Sequence, residues 1–206
     1  EDVPYSQALK SLASPLPKFD TQQSIYTALF KELKEAQAQF DSGAAIKGDF
    51  INGNSNAKWK KFANAVRAMM AIQLSKRYPG STEYAAIQFK AALADGVIDN
   101  NADNIKLDFP GANFKNPYWV AHDGARDNGV SVHLYNMLAS LGDGRQAAFG
   151  TSNIPVIYGV KEATINAFIK NNPNWSRILA DNQRLEPSPV YMLTAAQLFM
   201  ARAEAA

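Results

Sequence analysis

The chain has 206 residues, of which 47% are hydrophobic and 19% charged, a composition typical of a globular protein with one sizeable core. A formal net charge of only +2 argues against nucleic acid or an anionic membrane as a partner. The absence of cysteine excludes disulfides, thiol catalysis and thiolate metal sites.

Neither end of the chain has the features expected of a natural terminus. The opening EDVPYSQALK lacks the basic start and apolar core of a signal peptide, and no apolar run approaches the ~18 residues that span a bilayer. The closing LTAAQLFMARAEAA stops inside a helical pattern without a capping glycine or a proline. We therefore expect an internal fragment of a longer protein.

Helical periodicity dominates the first half of the chain and predicts three helices. The first follows the capping-box pattern DTQQ (20–23) and ends before the glycine at 43. The second begins near Ser55 or Asn56 and stops at the Pro-Gly pair 79–80, and the third is capped by Ser81 or Thr82 and ends before Gly96. The residues predicted to face inward from the first and third helices are Ile25, Leu29, Leu33, Ala36, Phe40, Tyr84, Ile87, Ala91 and Ala94.

The second helix, in GNSNAKWKKFANAVRAMMAIQLSKRY (53–78), would suit either an anion-binding surface or the wall of a core. Its apolar stripe consists of Trp59, Phe62, Val66 and Met69, and its basic side consists of Lys58, Lys60, Lys61 and Arg67. Cations are disfavoured near a helix N-terminus, and the whole chain is nearly neutral. We therefore predict a core wall, with Trp59 largely buried and the lysines facing solvent or only partly covered.

The second half of the chain has a different character. From Asp95 to Arg126 the sequence is rich in Asn, Asp, Gly and Pro, with isolated aromatics, which predicts a long structured loop. A short helix over 130–141, a brief strand over 153–160 (NIPVIYGV) and a short helix over 161–171 follow. The last helix is predicted to begin at Pro189. Its inward side chains are expected to be Leu193, Ala196, Phe199, Met200 and Ala203.

These elements predict a mainly α fold of tetratricopeptide-like helical hairpins with a loop-rich lobe. Alanines combined with single large aromatics let helices approach closely, as stacked hairpins do, although no strict repeat of roughly 34 residues is present. We expect one incomplete domain, with the hairpins at about 20–95 and 188–206 and the loop-rich part at about 96–187.

Few patterns indicate catalysis or a bound metal. DNNADN (99–104) resembles the first half of an EF-hand loop. Asn104 stands where that loop has its Gly, and Pro110 stands where it has its bidentate Glu. We therefore interpret the segment as a turn, with an irregular calcium site as the alternative. His122 and His133 lack the spacing of a zinc motif. No nucleophile elbow, Walker loop or dinucleotide fingerprint is present. We expect no enzyme activity, no metal and no cofactor.

The loop NFKNPYWVAHD (113–123) combines adjacent aromatics with polar groups. Tyr118 and Trp119 would offer a flat face to the C–H side of a sugar, and nearby amides, carboxylates and Arg126 would hydrogen-bond its hydroxyls. The alternative for Trp119 is that its ring holds the loop onto the helices. Trp175 is a second candidate platform. The predicted ligand-binding residues are therefore Tyr118, Trp119, Arg126 and Trp175, with no catalytic residue.

Four segments, taken in order, resemble the SusD/RagB family of outer-membrane glycan-capturing lipoproteins. They are VPYSQALK (3–10), PKFDTQQSIYTALFKELKEAQ (17–37), GDFINGNSNAKWKKFANAVRAMMAIQLSKR (48–77) and SPVYMLTAAQLFMARAEAA (188–206). The third is the most specific, and the fourth resembles the Ala-Glu-Ala helix of that family. These are scaffold motifs, so Trp59, Phe62 and Asn64 carry over as fold residues and not as ligand residues.

The resemblance implies a non-catalytic nutrient-binding component of a SusC/SusD-type uptake system. Such proteins deliver oligosaccharides, or in some cases peptides, to a SusC-type TonB-dependent transporter at the outer membrane of a Gram-negative bacterium. They attach to the membrane through an N-terminal lipid anchor that this chain does not include, and no nucleic acid partner is expected. The residues also leave open a helical-repeat scaffold that binds a protein or peptide partner and has no sugar site.

Overall fold

The computed structural model describes residues 2–42, 46–123 and 128–206. The described part is mainly α-helical, as predicted. The chain divides into two compact units, unit 1 with Glu1–Lys106 and Tyr191–Ala206, and unit 2 with Leu107–Val190. The α-helices are α1 (Gln22–Ser42), α2 (Asn56–Gln73), α3 (Tyr84–Ala94), α4 (Pro117–Asp123), α5 (Val132–Ser140), α6 (Gln146–Phe149), α7 (Glu162–Asn171) and α8 (Ala195–Glu204).

Four short strands accompany the helices in the described residues. Strands β1 (Val3–Pro4) and β2 (Phe19–Asp20) pair antiparallel, with Val3 opposite Asp20. Strands β3 (Ile105–Leu107) and β4 (Val190–Leu193) form a second two-stranded sheet. None of the described helices is both long enough and apolar enough to cross a membrane.

The start of α1 differs from the predicted capping box. The hydroxyl of Thr21, and not the carboxylate of Asp20, accepts a hydrogen bond from the backbone N–H of Ser24, at 3.2 Å. Asp20 instead accepts bonds from the backbone N–H groups of Tyr5 (3.0 Å) and Ser6 (2.7 Å). The capping prediction was wrong because a longer-range partner for the carboxylate, fifteen residues away, was not visible in the local pattern.

The starts of α2 and α3 are set by different kinds of residue. Ser55 caps α2 as predicted, accepting from the N–H of Lys58 at 3.3 Å, but the helix ends at Gln73, well before the Pro-Gly pair. Residues 74–78 continue as turns. The residue before α3 is Glu83, so the predicted Ser81 or Thr82 cap was wrong. The Glu83 carboxylate accepts from the N–H of Gly80 at 2.8 Å and closes the preceding turn.

Unit 1 has a continuous apolar core, in which α2 is the central wall. Of the predicted α2 stripe, Phe62, Val66 and Met69 pack against this core as expected, and Trp59 is partly buried without belonging to the core cluster. The buried apolar residues of α2 are all alanines. The core cluster consists of Phe30, Ala65, Ala68, Ala71, Phe89, Ala92, Val97, Ile98, Ile105, Leu193, Ala195, Leu198 and Ala201.

Arg67 corrects the predicted basic side of α2, because it is buried and not solvated. Only 2% of the residue is exposed, and its Nη1 donates to Asp95 Oδ2 (2.7 Å), to Asn64 Oδ1 (3.0 Å) and to Gln37 Oε1 (3.3 Å). Asn64, also buried, donates through Nδ2 to the carbonyls of Asp95 (3.0 Å) and Gly96 (2.9 Å). These bonds join α1, α2 and the end of α3. The lysines of this side are partly covered, as predicted.

The half-buried Trp59 is fixed by the loop that precedes α2. Its indole N–H donates to Asp49 Oδ2 at 2.8 Å. The same carboxylate accepts from the backbone N–H groups of Ile51 (2.9 Å), Asn52 (3.1 Å) and Asn54 (3.1 Å). Asp49 and Trp59, both in the third segment of the resemblance, therefore belong to one hydrogen-bonded unit.

The inward residues of the third and last helices were predicted only in part: Tyr84 packs against the core and Leu193 is buried in it, as expected, but most of the others were wrong. In α3 the buried residues are Ala85, Phe89 and Ala92, while Ile87 is exposed. The last helix begins at Ala195 and not at Pro189, because residues 190–193 form a strand. Its buried residues are Ala195, Leu198 and Ala201, and the predicted inward residues Phe199 and Met200 are exposed. In both helices some alanines are buried, where they allow close packing, whereas the predicted inward residues Ala94, Ala196 and Ala203 are exposed.

Unit 2 contains short elements connected by backbone hydrogen bonds. The predicted helices over 130–141 and 161–171 correspond to α5 and α7 with trimmed ends. The predicted strand over 153–160 was wrong, since within it only Val156 forms a bridge, to Ser131. The buried apolar side chains described in this unit are Val130, Leu138 and Trp175.

Candidate ligand-binding surface

The start of α4 is fixed by Asn116, which is 2% exposed. Its Oδ1 accepts from the backbone N–H groups of Tyr118 (2.7 Å) and Trp119 (3.2 Å), and its Nδ2 donates to the carbonyl of Ser188 (2.8 Å). An asparagine can cap a helix and bind a second segment because it carries both an acceptor and donors. The two aromatics therefore lie on a capped helix, whereas the sequence predicted an irregular loop.

The turn before α4 is organised by Glu186. Its Oε1 accepts from the backbone N–H of Ala112 at 2.6 Å and lies 3.6 Å from Lys115 Nζ. Its carbonyl accepts from the N–H of Asn116 at 2.9 Å. Glu186 thus binds the turn at both its start and its end, which holds the base of α4 in place.

The side chains of this region form an exposed surface of aromatic and apolar groups, named here the α4 surface: Phe114, Lys115, Tyr118, Trp119 and Val120. Tyr118 is 51% exposed, and Phe114 and Val120 are also exposed. Trp119 is partly exposed, and the Lys115 ammonium lies 4.5 Å from its ring centroid in a cation–π contact. The surface offers flat rings next to hydrogen-bonding and charged groups, the combination that a sugar requires.

The other two predicted ligand residues are Arg126 and Trp175. Arg126 lies outside the described residues. Trp175 is only 4% exposed, and a Cβ placed on Gly129 would lie 3.0 Å from its ring. A ring that is buried and closely packed does not suit a stacking platform, so we assign Trp175 a packing role in unit 2.

Unit 2 also contains a cleft that the sequence did not predict. It has a volume of about 460 Å³ and is lined by the segment 156–160 and by residues around Ser131, with Tyr158 strongly exposed beside it. The sequence predicts a strand for the same segment, in which alternate side chains would be buried. No local motif indicates the cleft, because its walls come from parts of the chain about 25 residues apart.

The calcium-like segment 99–104 in unit 1 binds the ammonium group of Lys61. Lys61 Nζ lies 2.5 Å from Asp103 Oδ2 and 3.3 Å from Asp99 Oδ1. Its hydrogen bond lowers the pKa of Asp103, and the same bond raises the pKa of Lys61. Asn100 caps the short helical turn through bonds from the N–H groups of Ala102 (2.9 Å) and Asp103 (3.2 Å). The arrangement is that of a turn with an ammonium between two carboxylates.

The carboxylates with shifted pKa values are engaged in structural contacts. The Arg145 side chain lowers the pKa of Asp143 to about 2 through bonds of 2.6–3.0 Å. Burial raises the pKa of Asp95, but hydrogen bonds from Lys34 and Arg67 outweigh it, so the net pKa is lowered. A glycosidase needs a general acid with a raised pKa. Lowered values of this kind do not supply one.

Several solved structures resemble the chain. A chitin-binding protein is 26% identical, with a TM-score of 0.75 over 99% of this chain and 46% of that protein. A chitin-binding SusD homolog from Flavobacterium johnsoniae is 22% identical, with a TM-score of 0.74 over 98% of this chain and 42% of that one. A SusD homolog from Bacteroides fragilis is 22% identical, with a TM-score of 0.80 over 99% and 47%. The chain spans about half the length of these proteins or slightly less.

The sequence itself matches a known family along its whole length. No curated protein sequence matches the chain. Residues 1–206, however, match the SusD-like family, which is described as starch-binding and associating with the outer membrane. The resemblance carried by the four scaffold segments is thereby confirmed, and the chain belongs to the SusD-like family.

Proposed function

We propose that the chain is part of a non-catalytic binding protein that captures oligosaccharides at the outer membrane for uptake. Membership of the SusD-like family over all 206 residues carries this proposal, because the family description combines starch binding with outer-membrane association. The two structural relatives described as chitin-binding support a carbohydrate ligand. The finer part of the proposal is delivery of the ligand to a SusC-type TonB-dependent transporter.

The α4 surface is the proposed ligand site. Tyr118 and Trp119 would stack on the sugar, and Arg126, just beyond α4 in the sequence, would supply hydrogen bonds. Capping by Asn116 supports this assignment, since a platform held on a fixed helix loses little conformational entropy when a ligand binds. The Lys115 ammonium lies over one face of the Trp119 ring, 4.5 Å from its centroid, so a sugar would stack on the other face.

Calorimetric titration of the chain with neutral chitooligosaccharides and maltooligosaccharides tests the proposal. We expect micromolar to millimolar affinity, about −4 to −8 kcal/mol. Tyr118→Ala and Trp119→Ala should each weaken binding by about tenfold or more, because each removes one stacking ring. Tyr191→Ala is the matched control, since Tyr191 is a similarly exposed tyrosine of unit 1, at 55%.

The titrations separate the function from the location. A folded chain that binds none of these oligosaccharides would contradict glycan capture. Binding that survives both α4 substitutions would contradict the location and leave the function standing. A Trp119→Ala protein that binds normally but melts at a lower temperature would identify Trp119 as a packing residue. Release of reducing ends from any of the sugars would contradict the non-catalytic role.

A second candidate function is that of a scaffold for a protein or peptide partner. Strongly exposed apolar side chains in the first segment of unit 1, namely Leu9, Leu12, Leu16 and Phe19, favour it, because such a group is typical of a protein interface. Under this alternative the oligosaccharides do not bind, and replacing these leucines by serine abolishes co-purification with a SusC-type transporter. Under glycan capture, the sugar titrations are unaffected by the same replacements.

A further inference from the structure

The cleft in unit 2 uses residues that the α4 surface does not. Its lining includes Asn128, Gly129, Ser131, the segment 156–160 and Ile165, and its volume is about 460 Å³. Small-molecule sites in proteins have volumes of roughly 300–1,000 Å³. The cleft is therefore large enough for a small ligand or for one end of a longer one.

Backbone hydrogen bonds join the two segments that line the cleft. The N–H of Val156 donates to the carbonyl of Val130 at 2.7 Å, and the N–H of Val132 donates to the carbonyl of Val156 at 3.0 Å. A side chain at Gly129 would overlap Val156 and crowd the buried Trp175. Only a glycine fits at residue 129, because its surroundings are closely packed. The segment that leads to Tyr158 therefore starts at a fixed position.

Tyr158 presents an accessible ring at the cleft. The residue is 64% exposed, and its ring makes a T-shaped contact with His133, with centroids 5.2 Å apart and planes at 79°. An edge-to-face contact of this kind restrains a ring and leaves much of it open. A tyrosine that is both restrained and exposed beside a cleft can stack against the C–H face of a sugar.

The chemistry of the lining indicates an uncharged ligand. None of the described residues that line the cleft is Asp, Glu, Lys or Arg. The polar groups are an amide, hydroxyls and backbone groups, mixed with aliphatic side chains of Val156, Val160 and Ile165. Ser131 Oγ accepts from the N–H of Leu134 at 3.2 Å, and its own proton can be donated to a ligand. A neutral sugar, which carries hydroxyl groups on an apolar ring, fits this lining. A carboxylate or sulfate group would find no counter-charge in it.

We propose that this cleft is a second carbohydrate subsite, which takes a neutral sugar unit stacked on Tyr158 and hydrogen-bonded by Ser131. The ligand class rests on the proposed function, but the location rests on the cleft alone. Two separate aromatic platforms in one unit would let the protein hold two sugar units of one chain, or two chains.

Protein-observed NMR with a neutral chitooligosaccharide, a maltooligosaccharide and an oligogalacturonate tests the proposal. We expect saturable shift changes at the amides of Ser131, Tyr158 and Gly159 with at least one neutral sugar, and none there with the acidic one. Tyr158→Ala should weaken the affinity read from these amides by about tenfold, while Tyr158→Phe, which keeps the ring, should stay within about threefold of the parent.

The outcomes separate this inference from the proposed function. Shift changes confined to the α4 surface would overturn the second subsite and keep glycan capture. Shift changes at the cleft that are equal for the acidic and neutral sugars, or unchanged by Tyr158→Ala, would overturn the ligand class or the role of the ring. No shift change with any sugar in a folded chain would overturn both. The melting temperature of each variant confirms that the chain is folded.

Discussion

Among the individual residues of unit 1, Arg67 has the most demanding environment. Its guanidinium is withdrawn from solvent and depends on Asp95 for its counter-charge, while Asn64 and Gln37 accept further hydrogen bonds. A buried charge that loses its partner is strongly destabilising, because neither water nor another charge compensates for it. The cluster thus makes the contacts between α1, α2 and the end of α3 depend on a single carboxylate.

Asp95→Asn should lower the free energy of unfolding by about 3 kcal/mol, the lower end of the range for breaking a buried ion pair. The lower end is expected because the Asp95 side chain is 25% exposed and is partly screened by water. Urea denaturation measures the change. Glu35→Gln is the control, since the exposed Lys31–Glu35 pair should contribute little to stability. Equal effects of the two substitutions would contradict a structural role for the Arg67 cluster.

The Asp49 loop should make stability depend on acid pH. Burial raises the pKa of Asp49, but bonds from Asn52, Ile51, Trp59 and Asn54 together lower it below the ordinary value of 3.8. A carboxyl with a lower pKa in the folded state binds protons more readily when unfolded. Its stabilising contribution is therefore complete above about pH 4 and lost as the pH falls through the folded pKa. Asp49→Asn should reduce this loss. An unchanged pH profile of unfolding would contradict it.

At the scale of elements, α2 is defined by small residues on its buried side. Ala65 and Ala68 have no exposed surface, and they face the core where α1 and α3 pack against this helix. Close packing leaves no space for larger side chains, and forcing them in shifts backbones and rotamers.

Ala68→Leu should destabilise unit 1 by about 1–3 kcal/mol through overpacking, although leucine is nearly as good a helix former as alanine. Ala57→Leu is the matched control, since Ala57 is an exposed alanine of the same helix. Thermal and urea unfolding of the two variants give the comparison. A loss of stability at Ala57 as large as that at Ala68 would show that helix propensity, and not packing, explains the effect.

The existence of the longer helices followed from periodicity, but the inward faces of α3 and α8 followed from it only in part. In α3 and α8 the large residues Ile87, Phe199 and Met200 are exposed, and alanines are buried. Hydrophobicity ranks a large residue as the better core residue, whereas the space between closely packed helices selects a small one. That space depends on the neighbouring helices, so the periodicity of one segment cannot predict it. Arg67 is a similar case, because its partner Asp95 is 28 residues away.

At the scale of the whole molecule, the sequence predicted the kind of candidate site, an exposed aromatic surface. It predicted the location of the candidate sites only in part. Tyr118 is an exposed aromatic in the loop that the sequence singled out, and its helix is capped by a residue of the same loop, Asn116. Trp175 could not be judged from its neighbours in sequence, because its burial depends on the approach of Gly129. The Tyr158 cleft could not be anticipated for the same reason, since its walls are brought together by bonds between distant segments.

The two units differ in how much apolar core they contain, and this difference predicts unequal resistance to local unfolding. Every member of the core cluster belongs to unit 1, whereas the buried apolar side chains described in unit 2 are only Val130, Leu138 and Trp175. Opening free energies rise with buried apolar contacts, and elements that lack them exchange their amide hydrogens first. Helix α7 has no buried residue, while six residues of α2 are buried.

Hydrogen exchange measured by mass spectrometry should therefore show strong protection in α2 and weak protection in α7. Saturation with a sugar that binds unit 2 should raise protection at α4 or around Tyr158 and leave α2 unchanged, because a ligand stabilises the parts it contacts more than parts that are already stable. Equal exchange rates in α2 and α7 without ligand would mean that the chain opens as one cooperative body. In that case a sugar would protect both helices to the same extent, and the uneven distribution of buried side chains would not determine local stability.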